Sequence, residues 1–471
     1  MQRAGLAAAD LAASLCRDNG AAILILAGPG NNGGDALEAA RHLQARFFKV
    51  HLVFAGQAER LPKDAQAALE RFVHAGGQLL DAIPDTAPWG LIIDGLFGIG
   101  LQRNIEGAYA NLIHEANHLS LRDSCPLLAL DCPSGLDADT GVVRSCAIRA
   151  SHTLTFIALK PGLLTLDGPD YCGHTTVASL ELNAPLLVGP EGNSIAPALF
   201  ASHLGPRQRN SHKGSYGSAG ILGGAPSMTG AALLAGRAAL TLGCGRIYAG
   251  LLDPGRPSVD LLQPELMLRM PEALFHAPLT ALACGPGLST AREALPLLER
   301  ALATELPLVL DADALNLLAM EEPLAVAAAT RQAPLLITPH PAEAARLLGV
   351  SVAEVQTDRI TSAQALARQF NAWTALKGCG TVVAAPGGAW WINTSGNPGL
   401  AAAGQGDVLT GLALALLAQG WPPLAALLAA VHLHGTAADH LAASGTGPIG
   451  LTASETALAA RAVFNDWCRQ E

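Results

Sequence analysis

The chain has 471 residues, half of them hydrophobic and 14% charged, with a formal net charge of −10. That length calls for two or three domains, and the apolar share is ample for large cores. The acidic balance and the lack of a lysine- or arginine-rich run argue against nucleic acid or an anionic membrane as the main partner, although backbone amides can still hold small phosphates. Nine cysteines are scattered without a CxxC pair. Small buried thiols in a reducing compartment are expected, not a disulfide frame or a zinc site.

The alanine-rich start, MQRAGLAAADLAASLC, carries Asp10 inside it and reads as an amphipathic helix, not a signal peptide. AAILILAG (21–28) is a continuous apolar run ending in glycine, which suits a buried parallel strand. A helix pattern follows from about Gly34 to Arg46. Then come VHLVFAG (50–56), a helix around 64–75, WGLIIDG (89–95), a helix around 106–118, PLLALD (126–131) and an alternating strand from His152 to Phe156. This βαβ series predicts an open parallel sheet with helices on both faces. Between about Asn183 and Asn210 the pattern dissolves into Pro, Gly, Asn and Ser, which predicts one domain over 1–190 and a second over 200–471. From Gly217 the strand–helix alternation restarts and runs nearly to the end, as a second α/β domain. The apolar stretch 411–431 is broken by Gln419, Gly420, Pro422 and Pro423, so it is no membrane span and the cytoplasm is the expected compartment.

In the first domain GPGNNGGD (28–35) follows the first strand and opens a helix. Ligands collect at the carboxyl ends of parallel strands, and a helix N-terminus attracts anions. A glycine-rich turn alone is weak evidence, but Asn31, Asn32 and Asp35 add polar groups. Asp94 ends a second strand and leads into GLFGIGLQRN (95–104). Asp131 ends a third and leads into CPSGLDADTG (132–141). Each Asp alone fits a turn or cap; three polar strand ends at one mouth are the functional signal. Oxygens of Asn32, Asp94 and Ser134 would suit a hard monovalent cation, leaving Asp131 as an acid or base.

These runs, with LTFIALKPG (154–162), resemble the NAD(P)H-hydrate epimerase domain, a family that interconverts the R and S forms of hydrated NAD(P)H. The resemblance implies that Asn31, Asn32, Gly33, Gly34 and Asp35, together with Gly98, Ile99, Gly100, Leu101, Gln102, Arg103 and Asn104, contact the dinucleotide. It further implies that Asp131 acts in the epimerisation and that Asn32, Asp94 and Ser134 hold potassium. Lys160 is carried over as well; read without the family it is a solvated lysine before a turn. Ala36 stands where the family usually has glycine, and Cys132 where an aliphatic residue is common.

In the second domain the carriers of chemistry are CGPGL (284–288), LVLDADALN (308–316), TPHPAEAARLLG (338–349), KGCGT (377–381) and GQGD (404–407). Individually, His340 fits a cap, Asp313 a helix start, Glu343 a helix support and Lys377 a surface cation. In this order they resemble the ribokinase-like superfamily, and within it the ADP- or ATP-dependent NAD(P)H-hydrate dehydratase. The fold class expected is thus a Rossmann-like three-layer parallel-sheet domain followed by a ribokinase-like α/β domain. The resemblance implies that Lys377, Gly378, Cys379, Gly380, Thr381 and Gly406 contact the adenine nucleotide. It places Ala231, Gly287, His340 and Asp407 on the hydrated dinucleotide. Gln405 occupies a position often held by a small hydroxyl residue.

The expected chemistry is metabolite repair. Asp407 takes the proton of the ring hydroxyl as it attacks the terminal phosphoryl of ADP, Mg²⁺ shares the charge, and phosphate is then eliminated. The resemblance also implies a homo-oligomer, a tetramer. Two other readings stand beside it: a small-molecule kinase of the same fold, and a dehydratase whose first half is a non-catalytic binding module.

Overall fold

The computed structural model describes residues 1–16, 21–85, 88–101 and 103–469. It falls into two compact units, Met1–Pro190 and Glu191–Glu471.

The first unit runs α1 (Gln2–Leu15), β1 (Ala22–Ala27), α2 (Asn31–Ala45), β2 (Val50–Phe54), α3 (Lys63–His74), β3 (Leu79–Leu80) and β4 (Trp89–Gly95). It continues with α4 (Gly107–Asp123), β5 (Leu127–Leu130), β6 (His152–Phe156), α5 (Gly168–Cys172), β7 (His174–Ala178) and the short α6 (Ala184–Leu187). The strands lie in the order β3-β2-β1-β4-β5-β6-β7, each pair parallel. β1 reads AILILA and is buried at every position, because α1, α2 and α3 pack on one face and α4 on the other. Each fully buried Leu or Ile contributes about 1.5–3 kcal/mol, so a continuous apolar run is stable only where both faces are covered. The strand order reverses between β1 and β4, which opens a crevice at their carboxyl ends.

Helix α2 begins at Asn31, not near Gly34, with Gly30 as its extended N-cap. Asn31 to Asp35 therefore stand on the first turns of a helix rather than in the turn before it. Strands β3 and β7 escape the periodicity argument. The first has two residues, and the second is a polar edge with no buried position.

The second unit runs β8 (Asn193–Ser194), β9 (Ser218–Gly223), α7 (Thr229–Thr241), β10 (Arg246–Leu251), β11 (Met267–Arg269), α8 (Pro271–Leu274) and β12 (Ala281–Cys284). Next come α9 (Leu295–Leu302), β13 (Leu308–Leu310), α10 (Asp313–Met320), α11 (Glu322–Ala329), β14 (Leu335–Ile337), α12 (Pro341–Leu348), α13 (Val352–Thr357) and α14 (Arg359–Gln369). It ends with β15 (Trp373–Leu376), β16 (Val382–Ala384), β17 (Trp390–Ile392), α15 (Gln405–Ala418), α16 (Pro423–Ala443) and α17 (Ala453–Arg469). The sheet order is β11-β10-β9-β12-β13-β14-β15-β16-β17-β8, and the β15-β16-β17 meander is antiparallel. The segment after residue 190 has little periodicity, yet it supplies β8 and the core residues Ile195 and Phe200 to this unit. Here too the order reverses, between β9 and β12. A cleft of about 420 Å³ lined by Gly217, Thr280, Pro307, Pro334 and Trp421 lies at the opposite, amino ends of the strands and holds no ionisable side chain. None of the nine cysteines forms a disulfide, and no described helix is long and apolar enough to cross a membrane.

Candidate active sites

At the β1/β4 crevice of the first unit, three chain segments meet through short hydrogen bonds. Asp94, wholly buried at the end of β4, accepts from the Ser134 hydroxyl at 2.6 Å and from the Ser134 amide at 2.8 Å. Asn32 donates to the Phe97 carbonyl at 2.9 Å, and Ser134 Oγ lies 3.2 Å from the same oxygen. Burial pushes the Asp94 carboxyl up to about 6, against the bonds from Ser134 and Leu96 that favour its charge. Asn32 Oδ1 is buried and has no hydrogen-bond partner among the described residues. A buried acceptor without a donor is costly. An unpaired amide oxygen near a desolvated carboxylate and a hydroxyl is the donor set a monovalent cation takes, so these residues fit potassium.

Asp131 follows β5 with φ +63, a conformation that turns its side chain out of the strand direction. Its Oδ1 receives Lys160 Nζ at 2.6 Å. Lys160 also donates to Thr155 Oγ1 and the Phe156 carbonyl, both at 2.8 Å. All three ammonium protons are used, so Lys160 is not a solvated lysine; it holds Asp131 in place. A methyl group at Gly98 would stand 3.0 Å from Asp131 Oδ2, which brings the loop after β4 onto the same carboxylate. Asp35, on α2, is pushed up to about 7 by burial, with Asp131 and Glu38 adding to the effect.

Three of the expected dinucleotide contacts also pack within the protein. A methyl at Gly33 would meet the Gly28 carbonyl oxygen at 2.0 Å, and one at Gly34 would meet Ala65 Cα of α3 at 2.9 Å. Both glycines let α2 pack closely against its neighbours. Leu101 is buried in the core with Leu96 and Ile105, so its side chain faces away from the mouth. Asn31, Ile99, Gly100, Arg103 and Asn104 are exposed. Gln102 lies outside the described residues.

At the carboxyl ends of β13 to β15 in the second unit, the centre is Lys377, which follows β15. Its Nζ donates to Asp311 Oδ1 at 2.7 Å and lies 3.9 Å from Glu343 Oε2. Thr410 of α15 donates to the other Asp311 oxygen at 2.8 Å. Burial opposes the lysine charge, but Asp311 and Glu343 outweigh it and hold the ammonium above its usual range. Glu343 is pushed up to about 7 by burial. Asp407 stands in the first turn of α15, behind Gly404 with φ +85. Burial and Asp311 push its carboxyl up to about 7, while Lys377 pulls it down. The amides of Gly406 and Asp407 precede any intrahelical acceptor and point out of the helix end, where an anion can take them. A methyl at Gly406 would stand 3.4 Å from Lys377 Nζ, so the glycine brings backbone, ammonium and carboxylate together.

Gly287, with φ +59, lies against Ala231: a methyl on the glycine would meet Ala231 Cβ at 3.3 Å. The loop after β12 is pinned by Asp313, which accepts from the Ser289 amide at 2.8 Å. His340 is a helix cap. Its Nδ1 accepts from the amides of Ala342 and Glu343, and its Nε2 lies 3.2 Å from Glu343 Oε1. Both ring nitrogens have partners within the protein, while nearly half of the side chain stays exposed. The Lys377 ammonium is directed to Asp311, and in the KGCGT turn Gly378 and Cys379 are exposed. Gly378, at φ +143, lies where a methyl would strike the Arg359 guanidinium at 2.8 Å, and Arg359 in turn donates to the carbonyls of Leu376 and Lys377 at 3.2 Å. Arg359 and Thr410 carry no motif in the sequence, and Asp311 lies within the LVLDADALN run.

No group of three or more His, Cys, Asp or Glu among the described residues is set up to hold a metal ion. Asp311, the central carboxylate, is already bonded on both oxygens. The described residues therefore form no resident Mg²⁺ cage. The expected Mg²⁺ fits as the companion of nucleotide phosphates, which keeps most of its own ligands.

Solved structures share the second unit's fold. The ADP/ATP-dependent NAD(P)H-hydrate dehydratase of Bacillus subtilis, co-crystallised with ATP and Mg²⁺, is 31% identical at a TM-score of 0.52, covering 59% of this chain and 99% of that one. A ribokinase-like superfamily protein of Enterococcus faecalis, 22% identical, has the same fold at a TM-score of 0.52, over 60% of this chain and 98% of that one. Two sheets, one parallel and one parallel except for its β15-β16-β17 meander, each with aspartates at strand carboxyl ends, define an α/β enzyme whose second unit is ribokinase-like in fold. The family model for the YjeF-related protein N-terminus matches residues 1–162, and that for NAD(P)H-hydrate dehydratase matches 219–457. The bifunctional NAD(P)H-hydrate repair enzyme Nnr of Escherichia coli K12 is 38% identical over 431 residues, which span 89% of this chain and 81% of that protein. The chain belongs to the family of bifunctional NAD(P)H-hydrate repair enzymes.

Proposed function

We propose that residues 1–190 interconvert the R and S forms of hydrated NADH and NADPH, and that residues 200–471 dehydrate the S form at the expense of ADP. The observation that carries the second half is Asp407: a carboxyl balanced near neutrality beside two outward amides and a fixed ammonium. A base is most effective when its pKa lies near the working pH. Asp407 takes the proton of the ring hydroxyl while that oxygen forms a bond to the terminal phosphorus of ADP and the bond to AMP breaks. The amides of Gly406 and Asp407 steady the transferring phosphoryl, and Lys377 adds fixed positive charge. Mg²⁺ arrives with the nucleotide. The phosphate then leaves with its C–O electron pair, pushed by the ring nitrogen. Loss of a proton from the neighbouring carbon restores the dihydropyridine, so the products are NAD(P)H, AMP and phosphate.

In the first unit Asp131 is the acid or base, oriented by Lys160, and Asn32, Asp94 and Ser134 hold potassium, which neutralises Asp94 and fixes the floor of the pocket. Asn31, Asp35 and the exposed loop after β4 face the dinucleotide. Family likeness alone supports a homotetramer in the cytoplasm, and light scattering on the purified chain checks the assembly.

The test supplies purified protein with separated R and S hydrates, with and without ADP or ATP, and follows the reduced-nicotinamide absorbance. S hydrate with nucleotide is expected to recover the absorbance, and R hydrate to follow through epimerisation. No recovery from S hydrate with either nucleotide rejects the dehydratase. Recovery from S but not R rejects the epimerase. Accumulation of a stable phosphorylated dinucleotide makes the second unit a kinase.

A further inference from the structure

The first turn of α15 carries the proposed chemistry, and its main chain is closed by the Val408 amide, which donates to the Gly404 carbonyl at 3.1 Å. Gly404 enters it in the left-handed region, and the Gln405 amide reaches the Ala402 carbonyl only at 3.5 Å. What holds the turn from behind is a side chain. Gln405 is buried, with its amide between two helices. Its Nε2 donates to Thr456 Oγ1 of α17 at 3.1 Å, and its Oε1 lies 3.1 Å from His434 Nε2 of α16.

The directions of these bonds follow from one another. Thr456 Oγ1 spends its proton on the Thr452 carbonyl, 3.2 Å away, so it can only accept from Gln405. The Gln405 NH₂ must then face Thr456 and its carbonyl must face His434. His434 therefore carries its proton on Nε2. The imidazole is fully buried, and burial, with Lys377 adding, lowers its pKa to about 4. It stays neutral, so the donor is present throughout the range in which the enzyme can work. A serine or threonine at 405 is too short to reach both helices.

We propose that Gln405 is a positioning residue for the dehydration: its two hydrogen bonds lock the first turn of α15 to α16 and α17, and so aim the Gly406 and Asp407 amides at the reacting phosphoryl and the Asp407 carboxylate at the attacking hydroxyl. The inference rests on the dehydratase reading of that turn. A misplacement of about 1 Å at a reacting group can cost about a hundredfold in rate, whereas binding spread over a whole nucleotide is little changed.

Gln405→Met keeps the volume and removes both bonds. Its expected phenotype is a fall of about tenfold to a hundredfold in kcat. KM for S hydrate and for nucleotide should stay within about threefold, the pattern of a loss confined to the transition state. Thr456→Val should repeat the loss, and Thr456→Ser, which retains the acceptor, should recover it. A lowered melting temperature with kcat unchanged in Gln405→Met, in a chain whose parent is active, means the network is only structural and overturns the inference alone. Failure of Thr456→Ser to differ from Thr456→Val overturns it too, and that pair decides the matter if Gln405→Met does not fold. Absence of dehydration by the parent chain removes the functional reading and this inference together.

Discussion

Asp407 is held between opposed influences, with burial and Asp311 raising its proton affinity and Lys377 lowering it, to about 7. As a base it must be ionised, so kcat with S hydrate is expected to fall as pH drops through about 7. Asp407→Asn should abolish turnover while nucleotide binding, measured by calorimetry, persists; retained turnover would sink the role. The same shift has a stability consequence. A carboxyl whose folded pKa lies above its unfolded value of 3.8 favours the fold when protonated, and that contribution is lost as pH rises through the folded value. Asp407→Asn should therefore raise the melting temperature at pH 8 more than at pH 5, the usual trade of stability for a strained charge. Asp407 was legible in the sequence because GQGD sits beside its own helix. The Asp311–Lys377–Thr410 network was not, because its members lie on three separate elements that only the folded sheet brings together. His340 is the converse case. The bland reading as a cap, visible from the local spacing to Glu343, describes where its nitrogens go.

Glycines at the element level divide into those that let backbones pack and those that open a mouth. In the β1–α2 connection a methyl at Gly33 would lie 2.0 Å from the Gly28 carbonyl oxygen, whereas one at Gly30 would meet nothing within 4 Å. Contact at 2.0 Å with backbone cannot be relieved by a rotamer change. Gly33→Ala should destabilise the first unit by several kcal/mol or prevent its folding, as overpacking against backbone does. Gly30→Ala should leave its melting transition nearly unmoved. Comparable losses in the two variants, read by circular dichroism, would show that the turn is not packed as described. The buried strands were legible because a run such as AILILA is stable only when covered on both faces. The start of α2 was misplaced because Asn, Asn, Gly, Gly read as turn formers, while the packing of α2 on α1 and α3 overrides that preference. The edge strands β3, β8 and β11 are two or three residues long and carry too few side chains for any period to show.

Across the whole chain the two units share one device without a visible sequence repeat. In each, three strands in descending order from the first edge are followed, on crossing the switch point, by strands in ascending order, to β7 in the first sheet and to β17 in the second, where β8 then adds to the edge. In each, the carboxyl ends around that point carry aspartates: Asp94 and Asp131 in one, Asp311 in the other. Topology places the crevice, and a few side chains decide what enters it, which is why similar sheets serve two reactions. The two crevices differ in how their central carboxylate is balanced. Asp311 has an internal cation in Lys377, whereas Asp94 has only neutral hydrogen-bond donors and is pushed up to about 6. The first unit should therefore respond to an external cation and the second should not. Above pH 6 the buried Asp94 charge weakens the first unit, and K⁺ held between Asp94, Asn32 and Ser134, as proposed, would offset that loss. Below pH 6 the carboxyl is protonated and the ion has less to gain. Thermal unfolding of the full chain should accordingly show a K⁺-dependent rise in one transition, larger at pH 8 than at pH 5 and larger than with the same concentration of tetramethylammonium. A magnesium nucleotide should raise the other transition by mass action. Asp94→Asn should remove most of the K⁺ response and leave the nucleotide response intact; an undiminished response in that variant would mean that the ion binds elsewhere, and that Asn32 Oδ1 is not one of its ligands.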